Sequence, residues 1–293
     1  MPLFDETTLR RLEQLSLVAN QVRVGVLKGD RRSRKRGSSI EFADYRDYTQ
    51  GDDLRRLDWN VFARLERPFI KLLEEEEDLA VHLLLDASGS MDWPADDALN
   101  KFRYARRLAG ALGHIALSAN DRLNVACVGA RPAGWGPFRG APQSLRLFQF
   151  LEAAQAGGPT DLNLALRDYA LRARRPGLLL LLSDLLAPGG YQAGVGAAQA
   201  RGYEVALLHI LSPDEVDPPP AGEVKLRDVE TGAEAEISLD PAMAALYRQR
   251  LVTWQAEIAA WSRRRGAHYI PIVTDLPWDQ LVWRTLREGG VVK

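Results

Sequence analysis

Acidic and hydroxyl side chains alternate in one short segment of the sequence, at a spacing that could hold a metal ion. Asp86, Ser88 and Ser90 lie in the segment Asp86-Ala87-Ser88-Gly89-Ser90, directly after the apolar run 81–85. Alternate residues of a tight loop can point the same way, so one carboxylate and two hydroxyls could converge. These are hard oxygen ligands, which suit Mg²⁺, an ion that requires an octahedron and usually keeps several waters.

Two more oxygen donors follow later in the chain. Thr160 lies in a glycine-rich segment before a predicted helix, and Asp184 ends the apolar run 178–182. Asp86 and Asp184 would set two negative charges against the two positive charges of the ion, with neutral hydroxyls and water completing the shell. We expect such a site to accept an incoming carboxylate more easily than a site with three or four carboxylates could.

Each of these residues also has a purely structural interpretation. Ser88 and Ser90 could only shape a turn, and Asp184 could only end a strand. Thr160 could only cap the helix predicted at 162–172, because threonine is a good N-cap residue. The combination of all five, in this order and at predicted strand ends, favours metal binding over these separate roles.

The elements around these residues predict a three-layer α/β fold. Wholly apolar strands that alternate with amphipathic helices indicate a mostly parallel sheet with helices on both faces, and ligands of such sheets collect at the carboxyl ends of the strands. The predicted strands are 81–85, 123–128, 178–182, 205–210 and 268–272, with a possible edge strand at 135–138. The predicted helices are 99–119, 144–154, 162–172, 191–201, 241–264 and 278–287.

The domain boundary is predicted near residue 79. Residues 1–79 comprise a predicted helix at 5–27, a basic loop at 28–36 and a charged, aromatic extension with short strands at 40–42 and 69–72. Residues 80–293 form the α/β domain, with a β-hairpin near 223–239 inserted at about 213–240. The paired charges within 38–64 could form a docking surface or a structural network of ion pairs, and the sequence leaves both open.

Composition excludes several classes of function. The net charge of −1 gives no overall field that would recruit nucleic acid or a membrane surface. The single cysteine, Cys127, allows no internal disulfide, and no apolar run approaches the roughly 20 residues of a membrane span. Residues 1–10 lack the apolar core of a signal peptide. We therefore expect a cytoplasmic protein that binds neither nucleic acid nor membrane.

Enzymatic chemistry has one serious candidate, a Mg²⁺-dependent phosphohydrolase of the haloacid dehalogenase type. Such enzymes also have an aspartate at the end of an apolar strand, but they need a second acid two residues later, where this chain has Ser88. No downstream catalytic lysine is apparent. The four histidines show no zinc-ligand spacing, and the sequence has neither a phosphate-binding P-loop nor a nucleophile elbow. The sequence therefore favours a protein that is not an enzyme.

Taken together, Asp86, Ser88, Ser90, Thr160 and Asp184 resemble the metal-ion-dependent adhesion site of von Willebrand factor type A domains. The pattern of that site is Asp-x-Ser-x-Ser, then Thr, then Asp. The resemblance implies a von Willebrand factor type A-like, mostly parallel sheet that binds one Mg²⁺, or Mn²⁺ or Ca²⁺ in its place. It also implies one open coordination position, often filled by a carboxylate from a partner.

A second resemblance lies before this site. The segments Glu41-Phe42-Ala43-Asp44-Tyr45-Arg46-Asp47-Tyr48, Gly51-Asp52-Asp53-Leu54-Arg55 and Asp58-Trp59-Asn60 look like the signature of the bacterial domain of unknown function 58 family. That family implies a non-enzymatic, metal-dependent protein-interaction module. Its implied partner is a MoxR-class AAA+ ATPase, acting with it in chaperone-like assembly or maturation of client proteins. The ATPase or a client would supply the acidic side chain. A scaffold with a vestigial site is the remaining alternative.

Overall fold

The computed structural model describes residues 3–19, 40–49, 52, 57–75, 79–173, 175–219, 222–229 and 232–293. The chain divides into two compact units. One comprises Met1–Val26 together with Leu79–Lys293, and the other comprises Leu27–Asp78. The basic loop predicted at 28–36 lies outside the described residues. No helix in the described ranges is both long and apolar enough to cross a membrane.

The larger unit is built on a six-stranded sheet with the strand order β10-β7-β6-β3-β4-β5. All neighbouring strands pair in parallel except β5, which runs antiparallel to β4 at one edge. The strands are β3 (Ala80–Asp86), β4 (Arg122–Val128), β5 (Ala133–Phe138), β6 (Leu178–Ser183), β7 (Glu204–Leu211) and β10 (His268–Val273). The mostly parallel sheet and the short edge strand predicted at 135–138 are thereby confirmed.

Helices cover both faces of this sheet because successive residues of its central strands point to opposite sides. Leu83 and Leu85 belong to one buried apolar cluster and Leu84 belongs to the other. The first cluster includes residues of α3 (Lys101–Ser118) and α4 (Ser144–Ala153), and the second includes residues of α5 (Leu162–Arg172), α6 (Gln192–Ala200) and α8 (Pro241–Arg265). The three-layer α/β class is therefore confirmed.

The prediction of one helix over 5–27 is wrong within the described part of that range. Helix α1 spans Glu6–Leu12. Residues 16–18 beyond it pair with residues 291–293 instead of continuing the helix. Leu17 forms an antiparallel bridge with Val292, while Ser16 and Lys293 exchange backbone hydrogen bonds of 3.2 and 2.8 Å. The predicted helix at 278–287 is present as three consecutive segments: α9 (Trp278–Gln280), a π-helical stretch (Leu281–Thr285) and α10 (Leu286–Glu288).

The predicted hairpin insertion is also present. After β7, the short helix α7 (Pro213–Val216) leads into β8 (Gly222–Arg227) and β9 (Glu234–Leu239), which pair in antiparallel register and lead directly into α8. The Asp240 side chain caps the start of α8 by accepting a 2.7 Å hydrogen bond from the Met243 amide. We refer to residues 213–240 as the insertion.

The smaller unit contains β1 (Ile40–Asp47) and β2 (Phe69–Glu75), paired antiparallel, and the short helix α2 (Trp59–Leu65). The strands predicted at 40–42 and 69–72 are confirmed. Arg46 forms a 2.8 Å ion pair with Asp52, whose other carboxylate oxygen accepts bonds from the Thr49 amide and hydroxyl. The hydrogen bond from Arg46 is the main cause that lowers the pKa of Asp52 to about 2. These residues therefore form a local structural network.

Candidate metal centre

Two aspartates meet where neighbouring parallel strands end. β3 and β6 pair in register, with Leu85 opposite Leu182, so Asp86 and the pair Ser183-Asp184 leave the sheet side by side. The Ser183 hydroxyl donates a 2.5 Å hydrogen bond to Asp86 Oδ2 across this junction. Asp86 and Asp184 are both almost fully buried. The topology thus brings together the two predicted carboxylates.

The loop after β3 brings its two serines to the same place. The Ser88 amide donates a 3.0 Å hydrogen bond to Asp86 Oδ1, which curls the loop back over the strand end. The Ser88 and Ser90 hydroxyl oxygens then lie 3.1 Å apart. Ser88 is buried and Ser90 is half-buried. Alternate residues of this loop therefore do point to one side, as the sequence predicts.

Thr160 is carried towards this loop by the glycine-rich segment before α5. The Gly157 amide donates to the Ala87 carbonyl at 2.9 Å, and the Gly89 amide donates to the Gly158 carbonyl at 2.8 Å. The residue that caps α5 is Asp161, whose side chain accepts a 2.9 Å bond from the Leu164 amide. The interpretation of Thr160 as only a helix cap is therefore wrong, and Thr160 itself is half-buried.

A lysine that the sequence analysis missed completes the centre. Lys101, at the first position of α3, is fully buried, and its ammonium group lies 2.8 Å from Asp184 Oδ2 and 2.5 Å from Glu215 Oε1. Glu215 lies on α7, and its other oxygen accepts a 2.8 Å bond from the Ser212 amide. A signal was present in the sequence, because Lys101 shares the buried helical stripe of Ala105, Leu108 and Leu112.

Electrostatics at the centre oppose a bare, ionised Asp86. Burial raises the pKa of its carboxyl to about 6, the nearby Asp184 adds to the rise, and hydrogen bonds from Ser183 and Ser88 oppose it. A cation beside these carboxylates would favour their ionised forms. Lys101 and Glu215 carry opposite charges, so the centre retains the negative charge of its two aspartates.

The donor set fits a small, hard divalent ion. One oxygen of each aspartate is engaged from within the fold, Asp86 Oδ2 by Ser183 and Asp184 Oδ2 by Lys101. Each Oδ1 atom accepts one backbone amide bond, from Ser88 at 3.0 Å for Asp86 and from Leu186 at 3.1 Å for Asp184, and keeps a lone pair that an ion could use. The hydroxyls of Ser88, Ser90 and Thr160 would be the other protein donors. In the described ranges, no three His, Cys, Asp or Glu side chains are placed to hold a metal by themselves. A cation here would depend on hydroxyl oxygens and water.

The surroundings of the centre include the insertion and several apolar side chains. A methyl group placed on Gly89 would lie 3.6 Å from the Val229 carbonyl, so the end of the hairpin lies next to the serine loop. Val229 is an exposed large apolar residue, as are Trp93, shortly after the serine loop, and Leu186, two residues after Asp184. Exposed apolar groups near a buried polar centre are typical of protein-binding surfaces.

Comparison with known proteins identifies the family. The model of the family described as protein of unknown function DUF58 matches residues 44–257, which include the serine loop, Thr160, Asp184 and the insertion. The chain belongs to the DUF58 family. The predicted membership of this family is thereby confirmed.

Relatives of this DUF58 protein include the uncharacterized protein Rv1480 of Mycobacterium tuberculosis. It is 30% identical over 271 residues, which span 91% of this chain and 85% of that protein. Among solved structures, an aerotolerance-related membrane protein of Bacteroides fragilis covers 72% of this chain at 16% identity, with 99% of its own chain aligned and a TM-score of 0.43. BatB of Bacteroides thetaiotaomicron also covers 72%, with 98% of its own chain aligned, at 14% identity and a TM-score of 0.43.

Proposed function

We propose that this DUF58 protein is a non-enzymatic protein-interaction module that binds its partner through one divalent cation. The ion, Mg²⁺ or Mn²⁺, would be held by Asp86, Ser88, Ser90, Thr160 and Asp184. A carboxylate of the partner would complete its coordination shell. The observation that supports the proposal is that Asp86, Ser88 and Ser90 lie beside Asp184 at the carboxyl ends of neighbouring parallel strands. The segment that carries Thr160 is hydrogen-bonded to the same serine loop through its backbone.

The contacts within the centre support a site prepared for a ligand. Ser88 and Ser90 bring their hydroxyl oxygens to 3.1 Å from each other, although both residues could instead have pointed into solvent. Two carboxylates against a doubly charged ion leave room for one more negative ligand. The exposed apolar residues Trp93, Leu186 and Val229 would add contact area around that ligand.

The partner that we propose is a MoxR-class AAA+ ATPase, or a client protein that the pair assembles or matures. This choice rests on the family resemblance described above. The expectation that the module works in the cytoplasm rests on the sequence composition.

The experiment is a binding titration against the cognate ATPase in four states: with Mg²⁺, with EDTA, and with the variants Ser88→Ala and Thr160→Ala in Mg²⁺. We expect EDTA and each variant to weaken affinity by about tenfold or more, because each removes part of the coordination shell. Thr7→Ala, an exposed threonine on α1, is the matched control. Unchanged affinity in all states, with the fold intact by circular dichroism, would show that the cation does not bridge the two proteins.

One observation keeps the phosphohydrolase as a second candidate. No catalytic lysine downstream of Asp86 is apparent from the sequence, yet the structure has Lys101 beside Asp184, in the same centre as Asp86. Against catalysis, the lysine is held between two carboxylates, and Ser88 still stands where such enzymes need a general acid. Turnover of p-nitrophenyl phosphate in Mg²⁺ that is abolished by Asp86→Asn would favour this function. Absence of Asp86-dependent turnover would exclude it for that substrate.

A further inference from the structure

Lys101 joins two parts of the larger unit that are far apart in sequence. Its ammonium group lies between Asp184 Oδ2, at the end of β6, and Glu215 Oε1, at the start of the insertion. Lys101 and Asp184 are almost fully buried, and Glu215 is one-fifth exposed. An ammonium group shared by two carboxylates in such surroundings responds to any change in the charge of either one, because screening by water is weak there.

Glu215 is in turn part of the structure that anchors the insertion. Its Oε2 atom accepts hydrogen bonds from the Ser212 amide at 2.8 Å and the Ser212 hydroxyl at 3.2 Å. Its backbone carbonyl accepts a 2.7 Å bond from the Tyr247 hydroxyl on α8. Arg248 of α8 forms a 2.6 Å ion pair with Asp217. A shift of Glu215 would therefore change contacts both at the start of the insertion and at α8, the helix that follows the insertion.

The insertion reaches the candidate metal centre at a second point. The Val229 carbonyl lies next to the serine loop at Gly89, with room for no more than a methyl group between them. The insertion is thus next to the centre at two points, through the ion pairs of Lys101 and through the end of its hairpin. Val229 and Leu226 expose apolar side chains on this hairpin.

We propose that Lys101 is a positioning residue that couples cation binding to the conformation of the insertion, an inference that rests on the proposed function. A divalent ion bound at Asp184 Oδ1 repels the ammonium group and weakens its attraction to Asp184. The ammonium group then interacts more strongly with Glu215, which tightens the start of the insertion. The insertion and its apolar hairpin are thereby ordered for the partner only when the ion is bound.

Hydrogen exchange of the full chain with and without Mg²⁺ tests this coupling. The amides to follow are those at the start of the insertion: Ser212, which donates to the Glu215 carboxylate at 2.8 Å, and Glu215, Val216 and Asp217, which donate to backbone carbonyls at 2.8 to 3.1 Å. We expect Mg²⁺ to slow their exchange by about fivefold or more, a coupling of the usual size for linked sites. It should also slow exchange in the serine loop, where the ion binds.

The variants Lys101→Met and Glu215→Gln separate the coupling from the binding. Each should keep the Mg²⁺-dependent slowing at Ser88 and Ser90 and lose it at residues 212–217. Glu215→Gln leaves the pair of Lys101 and Asp184 in place, so it serves if Lys101→Met does not fold. Lys225→Met, which removes an exposed lysine of the hairpin, is the matched control and should behave as the wild type does.

The outcomes distinguish the two proposals. Slowing in the serine loop without any in residues 212–217 of the wild type would overturn the coupling and leave the proposed function standing. Slowing at 212–217 that persists in Glu215→Gln would also overturn it, because the effect would then travel by another route. Absence of any Mg²⁺ effect in the wild type, with no Mg²⁺ binding by calorimetry, would overturn both proposals.

Discussion

The Ser183 hydroxyl donates a 2.5 Å hydrogen bond to Asp86 Oδ2, and this bond removes one of the two oxygens that Asp86 could offer to an ion. Lys101 engages Asp184 Oδ2 in the same way at 2.8 Å. Neither aspartate can then easily bind a cation through both of its oxygens. Two contacts from inside the fold therefore leave each aspartate one carboxylate oxygen, Oδ1, for a cation at the candidate centre.

Ion selectivity is the first prediction. Mg²⁺ takes six ligands at short distances, whereas Ca²⁺ takes six to eight and often uses both oxygens of a carboxylate. We expect Mg²⁺ to raise the melting temperature at lower concentration than Ca²⁺ does, measured by thermal denaturation. Ser183→Ala frees Asp86 Oδ2 and should bring the effective concentrations of Mg²⁺ and Ca²⁺ closer together. Thr7→Ala should leave both concentrations unchanged. A wild type that prefers Ca²⁺ would contradict this account.

Stabilisation by the ion is the second prediction. A ligand that binds only the folded state adds about 2.7 kcal/mol to the free energy of unfolding when its concentration is 100 times its Kd. Asp86→Asn removes a ligand charge and should abolish the Mg²⁺ increment in thermal denaturation. Asp97→Asn changes an exposed aspartate in the loop before α3 and should retain it. An equal increment in both variants would place the ion elsewhere.

The buried lysine gives the third prediction. Lys101→Met leaves two carboxylates without their shared cation, and breaking a buried ion pair from one side costs about 3 to 5 kcal/mol. Lys225→Met breaks an exposed pair with Glu234 and should cost less than about 1 kcal/mol. Urea denaturation of both variants measures the difference. Similar small losses would mean that water reaches Lys101 and replaces its partners.

Stability at low pH provides the fourth prediction. His82 is buried in β3, between the Tyr169 hydroxyl at 2.7 Å and the Arg175 carbonyl at 3.0 Å, and burial lowers its pKa to about 4. The unfolded chain binds a proton at His82 more readily than the folded protein does. The stability that neutral His82 contributes to the fold is therefore fully present above pH 6.5 and is lost as the pH falls towards 4. The loss amounts to about 3 kcal/mol.

The measurement is the free energy of unfolding of the wild type and of His82→Phe at several pH values between 7 and 4. The variant is less stable at pH 7, because the Tyr169 hydroxyl and the Arg175 carbonyl lose a partner. It should nevertheless lose less stability as the pH falls, because phenylalanine takes up no proton. Parallel pH profiles would contradict the prediction, because they would show that His82 binds a proton as readily in the folded protein as in the unfolded chain.

The sequence was sufficient to predict the sheet because its central strands are mostly apolar. β3 and β6 are buried along their whole length, and a strand covered on both faces needs no alternation of polar residues. The same reasoning placed Asp86 and Asp184 at neighbouring strand ends. Local pattern was enough here, since each strand carries its own signal.

Contacts between distant residues were beyond this kind of reasoning. Lys101 meets partners that are 83 and 114 residues further along the chain, and nothing near it in sequence indicates them. The helix predicted over 5–27 failed for a similar reason, because Ser16 and Leu17 pair with the C-terminal segment instead of continuing a helix. Thr160 was considered as a cap because threonine is a good N-cap residue, but its neighbour Asp161 caps the helix.

The bridge between Leu17 and Val292 also orders the events of biosynthesis. A ribosome synthesises a chain from its N-terminal end. Leu17, which is buried in the finished fold, is therefore made long before Val292, its partner in the bridge. The central strands can pair while translation continues, but the bridge between Leu17 and Val292 cannot form until residue 292 has left the exit tunnel. The N-terminal segment of the larger unit therefore cannot take its final place until residue 292 has been synthesised.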